Sequence, residues 1–222
     1  KNKELCNHMD EYILEIPNFI PNDICESTVR RFEADPRKKH GYYYYTANGA
    51  VVERDKLNTE LTLTGTDGWT DIDTLFHNYA IKAYNEYMTR LQTNFAHYNT
   101  DNHVYDRELD NKSIYFTGFP LQRIEKGNFY AWHHDGNPKK SYFLQVLFYM
   151  NTLEEDEGGC TEFIHGRKVR PETGKMLIYP CSWVFPHIGN EVKGGPKYIC
   201  TTTIGISLVL YTTYPRQKHR KL

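Results

Sequence analysis

The sequence predicts a mainly β protein of the α+β class, with N-terminal helices supporting a sandwich, jelly roll or barrel of short strands. Strand-like runs at 114–124, 129–135, 142–150, 160–164, 175–179, 182–187 and 198–212 fill the second half of the chain. Turn clusters separate them: Gly136-Asn137-Pro138, the acidic stretch Glu154 to Gly159, Pro171-Glu172-Thr173-Gly174, Ile188-Gly189-Asn190 and Lys193-Gly194-Gly195-Pro196. Many short strands spaced by turns, with neither βαβ alternation nor an internal repeat, indicate an antiparallel two-sheet or barrel architecture. The aromatic residues, 18 Tyr, 11 Phe and 3 Trp, are weighted to tyrosine, which suits strands and binding surfaces better than a helical bundle.

The helical signals lie earlier. Asn22 or Asp23 can cap a helix from about residue 23 to 34, with Glu26 in its first turn. A second helix starts at Asp71 or Asp73 and runs towards Phe95; Leu75, Phe76, Tyr79, Ala80, Ala83, Tyr84, Tyr87, Met88 and Leu91 recur at three and four residues, an amphipathic period. Between the helices, Gly41 to Tyr45 and Leu61 to Leu63 read as strands around a connection. The stretch from Tyr42 to Leu63, with Arg54, Asp55 and Lys56, is long enough to be a substrate lid or an ordinary surface hairpin. The 222 residues make one domain, with helices and the lid region over about 1–110 and the β core over about 114–213.

Composition narrows the function. A net charge of −1 argues against a protein that neutralises nucleic-acid phosphates. No stretch approaches the roughly 18 apolar residues of a membrane span, and KNKELCNHMDEY has no apolar signal core. The five cysteines are scattered, without CxxC spacing, so reduced thiols and a cytoplasmic setting are expected, with no nucleic-acid or membrane partner. The oligomeric state is left open. Neither a GxSxG elbow nor a GxxxxGK[ST] phosphate loop occurs. The acidic run Glu154–Glu157 lacks the alternating spacing of a calcium loop and reads as a solvated turn.

The chemistry concentrates in Tyr130-Ala131-Trp132-His133-His134-Asp135-Gly136. Residues i and i+2 of a strand share a face, so His133 and Asp135 can address one metal ion while His134 points away. His187, in Phe185-Pro186-His187-Ile188-Gly189, is the third ligand. Two histidines and one carboxylate form the facial triad of non-haem iron oxygenases, which keeps positions open for co-substrate and dioxygen. A lone HxD carries little weight, since His8-Met9-Asp10 matches it too. Context adds weight: Lys197 follows His187 at the start of another strand, where a cation can pair with the far carboxylate of a dicarboxylate co-substrate. Trp132 and Trp183, each close in sequence to a metal ligand, are expected to pack into the core.

These pieces, together with Leu121-Gln122, Gly158-Gly159-Cys160-Thr161-Glu162-Phe163, Val169-x-Pro171-x-x-Gly174, Pro186-His187-x-Gly189 and Gly195-x-Lys197-Tyr198, give the chain a family resemblance. From Leu121 to Tyr211 it resembles the 2-oxoglutarate and Fe(II)-dependent dioxygenases, in the prolyl 4-hydroxylase-like branch, with a weaker echo at Ile16 to Pro21 and the helix that follows. The resemblance implies a double-stranded β-helix of the jelly-roll or cupin type. It implies Fe(II) on His133, Asp135 and His187, with 2-oxoglutarate held by Lys197, Tyr149 and Thr161. The implied reaction consumes O2, releases succinate and CO2, and hydroxylates an unactivated C–H bond, with ascorbate as an optional reductant. By analogy the substrate is a peptidyl proline in a protein or peptide. The alternatives are a free amino acid or another small molecule, or a non-catalytic metal-binding barrel. Arg123 and Tyr130 are the substrate-facing candidates. Two positions depart from the family: Ile124 stands near a common tyrosine, and Thr203 replaces a common tryptophan six residues after the cation.

Overall fold

The structure is a computed structural model that describes residues 9–41, 58–94, 114–137 and 139–207. The tyrosine run Tyr42–Tyr45, most of the expected lid, Cys6, His8 and the chain beyond Ser207 lie outside the described residues.

The strands are β1 (Leu14–Ile16), β2 (Lys39–Gly41), β3 (Asn58–Thr62), β4 (Ile114–Phe116), β5 (Pro120–Ile124), β6 (Tyr130–His133), β7 (Tyr142–Tyr149), β8 (Thr161–Phe163), β9 (Lys168–Val169), β10 (Met176–Pro180), β11 (His187–Gly189) and β12 (Lys197–Ile206). Two long helices, α1 (Asn22–Ala34) and α2 (Thr70–Asn94), complete the frame. The strands form two antiparallel sheets. The major sheet has the order β1-β10-β7-β12-β5-β3-β2, with β4 also on β12, and the minor sheet has the order β6-β11-β8-β9. This is the mainly β, two-sheet arrangement of a double-stranded β-helix.

Strand alternation gives the major sheet two different faces. Its outer face presents Leu61, Leu121, Val146, Phe148, Met176, Ile178, Cys200 and Ile204 to a core shared with Phe32 of α1 and Phe76, Ala80 and Tyr84 of α2. The buried residues of α2, Phe76, Ala80, Ala83, Tyr84, Tyr87 and Leu91, follow the three-and-four period that its sequence shows. The inner face presents Leu147, Tyr149, Leu177, Tyr179 and Ile199, which pack on Phe163, Val169 and Phe185 from the minor-sheet side. This apolar plug closes one end of the space between the sheets; the other end is the pocket described below.

Several local expectations need correction. Helix α1 begins one residue early, with Pro21 as its N-cap and no side-chain cap, because the fixed φ of proline, here −56°, suits the entry to a helix. Asp23 therefore sits in the first turn, and Glu26 lies beyond it, paired with Arg30. The run 114–124 splits into β4 and β5 around Gly118, whose φ of +101° favours glycine. Residues 182–186 form a turn closed by Phe185 N–H donating to Ser182 O (3.0 Å), and the strand starts at His187, so Ile188-Gly189 is strand where a turn was expected. The short edge strands β1 and β9 carry too few residues to show a period. The acidic run Glu155–Glu157 is a short 3-10 helix, and Cys25, Cys160, Cys181 and Cys200 are all free thiols. No helix among the described residues is long and apolar enough to cross a membrane.

Candidate metal centre and its pocket

His133 ends β6, His187 opens β11, and antiparallel register sets them directly opposite each other. Asp135 follows two residues after His133 and keeps the same face. Their ligand atoms all lie within 4.8 Å of one another. His133 Nε2 is 3.6 Å from Asp135 Oδ1, and His187 Nε2 is 3.4 Å from Asp135 Oδ2. Ligands about 2.1 Å from an ion at right angles stand about 3 Å apart, so the three side chains would draw closer to share one ion.

The donor chemistry fits a metal. His133 Nδ1 lies 2.7 Å from Ala131 O and His187 Nδ1 lies 3.1 Å from Phe185 O, each within its own strand or turn. Donation of Nδ1–H to a backbone carbonyl leaves Nε2 unprotonated and aimed at the third ligand, the tautomer a metal requires. Tyr130 stacks on the His133 ring at 3.6 Å between centroids, and the two histidine rings meet edge-on at 4.2 Å. His134, one residue out of phase, is exposed.

The triad opens into a cavity of about 580 Å³ between the sheets, within the size range of small-molecule sites. Across it, Lys197 at the start of β12 is buried, its Nζ donating to Gly159 O at 2.6 Å and lying 5.5 Å from the Tyr149 ring centroid. Among the described residues it makes no ion pair. Burial away from water lowers its pKa to about 8, opposed in part by the Cys160 thiol. A buried ammonium without a counter-charge is a ready site for a carboxylate. Thr161 lines the cavity and shares a hydrogen bond of 2.7 Å with Tyr149 Oη. Burial pushes the Tyr149 phenol well above its ordinary range, so it stays protonated.

The expected residues divide clearly. His133, Asp135, His187, Lys197, Thr161 and Tyr130 line one cavity, with Tyr149 directly behind Thr161. Arg123 is a correction: its neighbours Gln122 and Ile124 line the cavity, while alternation turns Arg123 to the opposite face. There its guanidinium pairs with Glu33 of α1 at 2.7 Å and Glu125 at 2.6 Å. Trp132 and Trp183 are a second correction. They are 51% and 76% exposed, because alternation along β6 turns Trp132 out as His133 turns in, and Trp183 rides on the 182–186 turn. Ile124 pairs in register with Lys197, and Thr203 donates to Gln145 Oε1 at 2.7 Å, so both departures from the family pattern lie on the cavity wall.

The sequence reading did not single out Tyr179, whose hydroxyl lies 3.0 Å from both Asp135 Oδ2 and His187 Nε2. It stands in the apolar strand Met176–Pro180, and only the pairing of sheets brings it to the triad. Gln145 and Glu60 also reach the cavity by register alone.

Comparisons with known proteins agree with this geometry. Residues 119–205 match the model of the 2OG-Fe(II) oxygenase superfamily. No curated protein matches the sequence. Among solved structures, a prolyl hydroxylase from Trichoplax adhaerens, in complex with a hypoxia inducible factor oxygen degradation domain peptide, superimposes with a TM-score of 0.66 at 15% identity, over 92% of this chain and 90% of that one. The viral collagen prolyl hydroxylase of Paramecium bursaria Chlorella virus-1, as its 2OG complex, gives a TM-score of 0.60 at 17% identity, over 87% and 95%. A Pseudomonas putida prolyl-4-hydroxylase gives 0.58 at 13%, over 93% and 99%. At such identities the structures establish shared fold, and the family match falls on the segment that carries Asp135, His187 and Lys197. Residues 119–205 are thus similar to the 2OG-Fe(II) oxygenase superfamily, and the chain shares the fold of the prolyl hydroxylases.

Proposed function

We propose that the chain is an Fe(II)- and 2-oxoglutarate-dependent hydroxylase of a peptidyl proline, releasing succinate and CO2. The observation that carries this reading is the gathering of His133, Asp135 and His187 within 4.8 Å, with the buried Lys197 ammonium, unpaired among the described residues, across the same cavity. In such a site the metal, with 2-oxoglutarate and O2, supplies the oxidising chemistry. The chain's own residues position and shield the reactants. His133 and His187 present Nε2, locked by the carbonyls of Ala131 and Phe185. Lys197 and Thr161 fix the far end of the dicarboxylate, and the packed floor of Leu147 and Ile199 keeps that end dry.

A peptide suits the cavity better than a free amino acid. An amino acid needs one charge for its amine and another for its carboxylate. Among the described lining residues, setting aside the three histidines, Asp135 and Lys197, the acidic side chain is Glu60 and no second Lys or Arg faces inward, because Arg123 points away. The Trichoplax adhaerens neighbour binds a peptide in the same fold, which supports the same reading.

The test is an anaerobic titration of Fe(II)-loaded protein with 2-oxoglutarate, following the visible charge-transfer band of the chelate. A saturable band is expected, with Lys197→Ala weakening 2-oxoglutarate binding but sparing the metal, and Asp135→Ala removing the band. Proline-containing peptides are then screened for a gain of one oxygen atom matched by succinate. A folded, iron-loaded protein without a band would instead indicate a non-catalytic metal module.

A further inference from the structure

The Tyr179 side chain is 1% exposed, its ring lying edge-on to Phe163 at 5.0 Å and to His187 at 4.9 Å between centroids. A phenylalanine would fill the same apolar space, so packing does not account for the hydroxyl. A buried hydroxyl is costly unless hydrogen-bonded, and this one has two partners at 3.0 Å, Asp135 Oδ2 and His187 Nε2. It has only one proton to give. His187 is anchored through Nδ1 to Phe185 O, so its Nε2 is an acceptor that competes with the carboxylate for that proton. When a metal ion takes the Nε2 lone pair, Asp135 is the acceptor left.

We propose that Tyr179 is a positioning residue of the metal centre. Its O–H donates to Oδ2 of Asp135 and keeps that oxygen off the metal, so that Asp135 binds through Oδ1, the atom that faces His133 at 3.6 Å. A one-oxygen aspartate uses one coordination position instead of two. With the two histidines it leaves three of six open, the number needed for two donor atoms of 2-oxoglutarate and one dioxygen. This inference rests on the triad reading.

Co(II), a coloured ion that reports coordination directly, is the probe. Tyr179→Phe conserves the ring and should melt as a folded protein. Its Co(II) dissociation constant should rise about tenfold or more, the usual effect of losing an outer hydrogen-bond partner of a ligand, and its visible spectrum should shift. Unchanged affinity and an unchanged spectrum would overturn the proposal. An intense phenolate charge-transfer band in the Fe(III)-loaded protein, absent from Tyr179→Phe, would overturn it in favour of direct ligation by the tyrosine. If Asp135→Ala binds Co(II) like the parent protein, the triad itself fails, which separates that failure from this one. The carboxylate stretches in a metal-bound minus metal-free infrared difference spectrum give a second reading without the Tyr179 variant. One-oxygen splitting supports the proposal, and two-oxygen splitting overturns it.

Discussion

The Lys197 ammonium is buried at the inner end of the site. Burial lowers its pKa from 10.5 to about 8, and in the proposed function 2-oxoglutarate would bind the charged form. Affinity should therefore be level below about pH 8 and fall as pH rises through that value, by at most about tenfold per pH unit. Without ligand the sign reverses. The native amine holds its proton less tightly than the unfolded one, so between about 8 and 10.5 the unfolded chain binds more protons and stability rises with pH. Titrations of 2-oxoglutarate at pH 7, 8 and 9, beside ligand-free melts at the same pH values, check both halves. A flat affinity profile would show that Lys197 does not bear the co-substrate charge. His133-x-Asp135 was legible because strand alternation is a local rule, and Lys197 because it opens a strand behind a glycine turn. Tyr179 and Gln145 were not, because an apolar run does not say which sheet it will face, and Arg123 was misread for the same reason.

At the scale of elements, the site is a product of register. Pairing of β6 with β11 sets His133 against His187, and pairing of β12 with β5 and β7 puts Lys197 on the same inner face as Gln122 and Tyr149. The turn into β8 completes the arrangement. Gly159, at φ +69°, supplies the carbonyl that receives Lys197 Nζ, and a Cβ there would stand 2.7 Å from Leu153 Cδ1. Gly159→Ala should therefore strain the turn by about 1–3 kcal/mol and displace the Lys197 acceptor. Thermal melts should show the loss of stability, and 2-oxoglutarate affinity should fall while Co(II) affinity holds, since the triad lies on other strands. A parallel loss of Co(II) affinity would mean that the turn supports the whole minor sheet. Helix α2 was readable almost to the residue because its apolar period runs for many turns. The strand between 182 and 189 was misplaced because Trp183, Val184 and Phe185 look like buried strand, whereas the chain turns at Ser182–Phe185 and pairs only from His187.

For the whole molecule, the division of labour between the two cores would make metal binding at the proposed triad a matter of stability. The core against α1 and α2 is continuous and apolar. The space between the sheets is apolar at one end and an open, polar-lined cavity at the other, and there the minor sheet of short strands contributes His133 and His187. An ion shared by His133, Asp135 and His187 would tie β6 to β11 and offset the desolvation of the imidazoles. Because the triad is assembled by tertiary register, the unfolded chain offers no comparable site. Binding to the native state alone stabilises by about 2.7 kcal/mol at a hundredfold excess over Kd, and in a domain of this size each kcal/mol raises Tm by roughly 2–4 °C. Saturating Co(II) or anaerobic Fe(II) should thus raise Tm by about 5–10 °C. A chelator should return it to the metal-free value, and Asp135→Ala should abolish the shift while still unfolding cooperatively. An equal shift in Asp135→Ala would place the stabilising ion elsewhere, and the His133–Asp135–His187 assignment would fall with it.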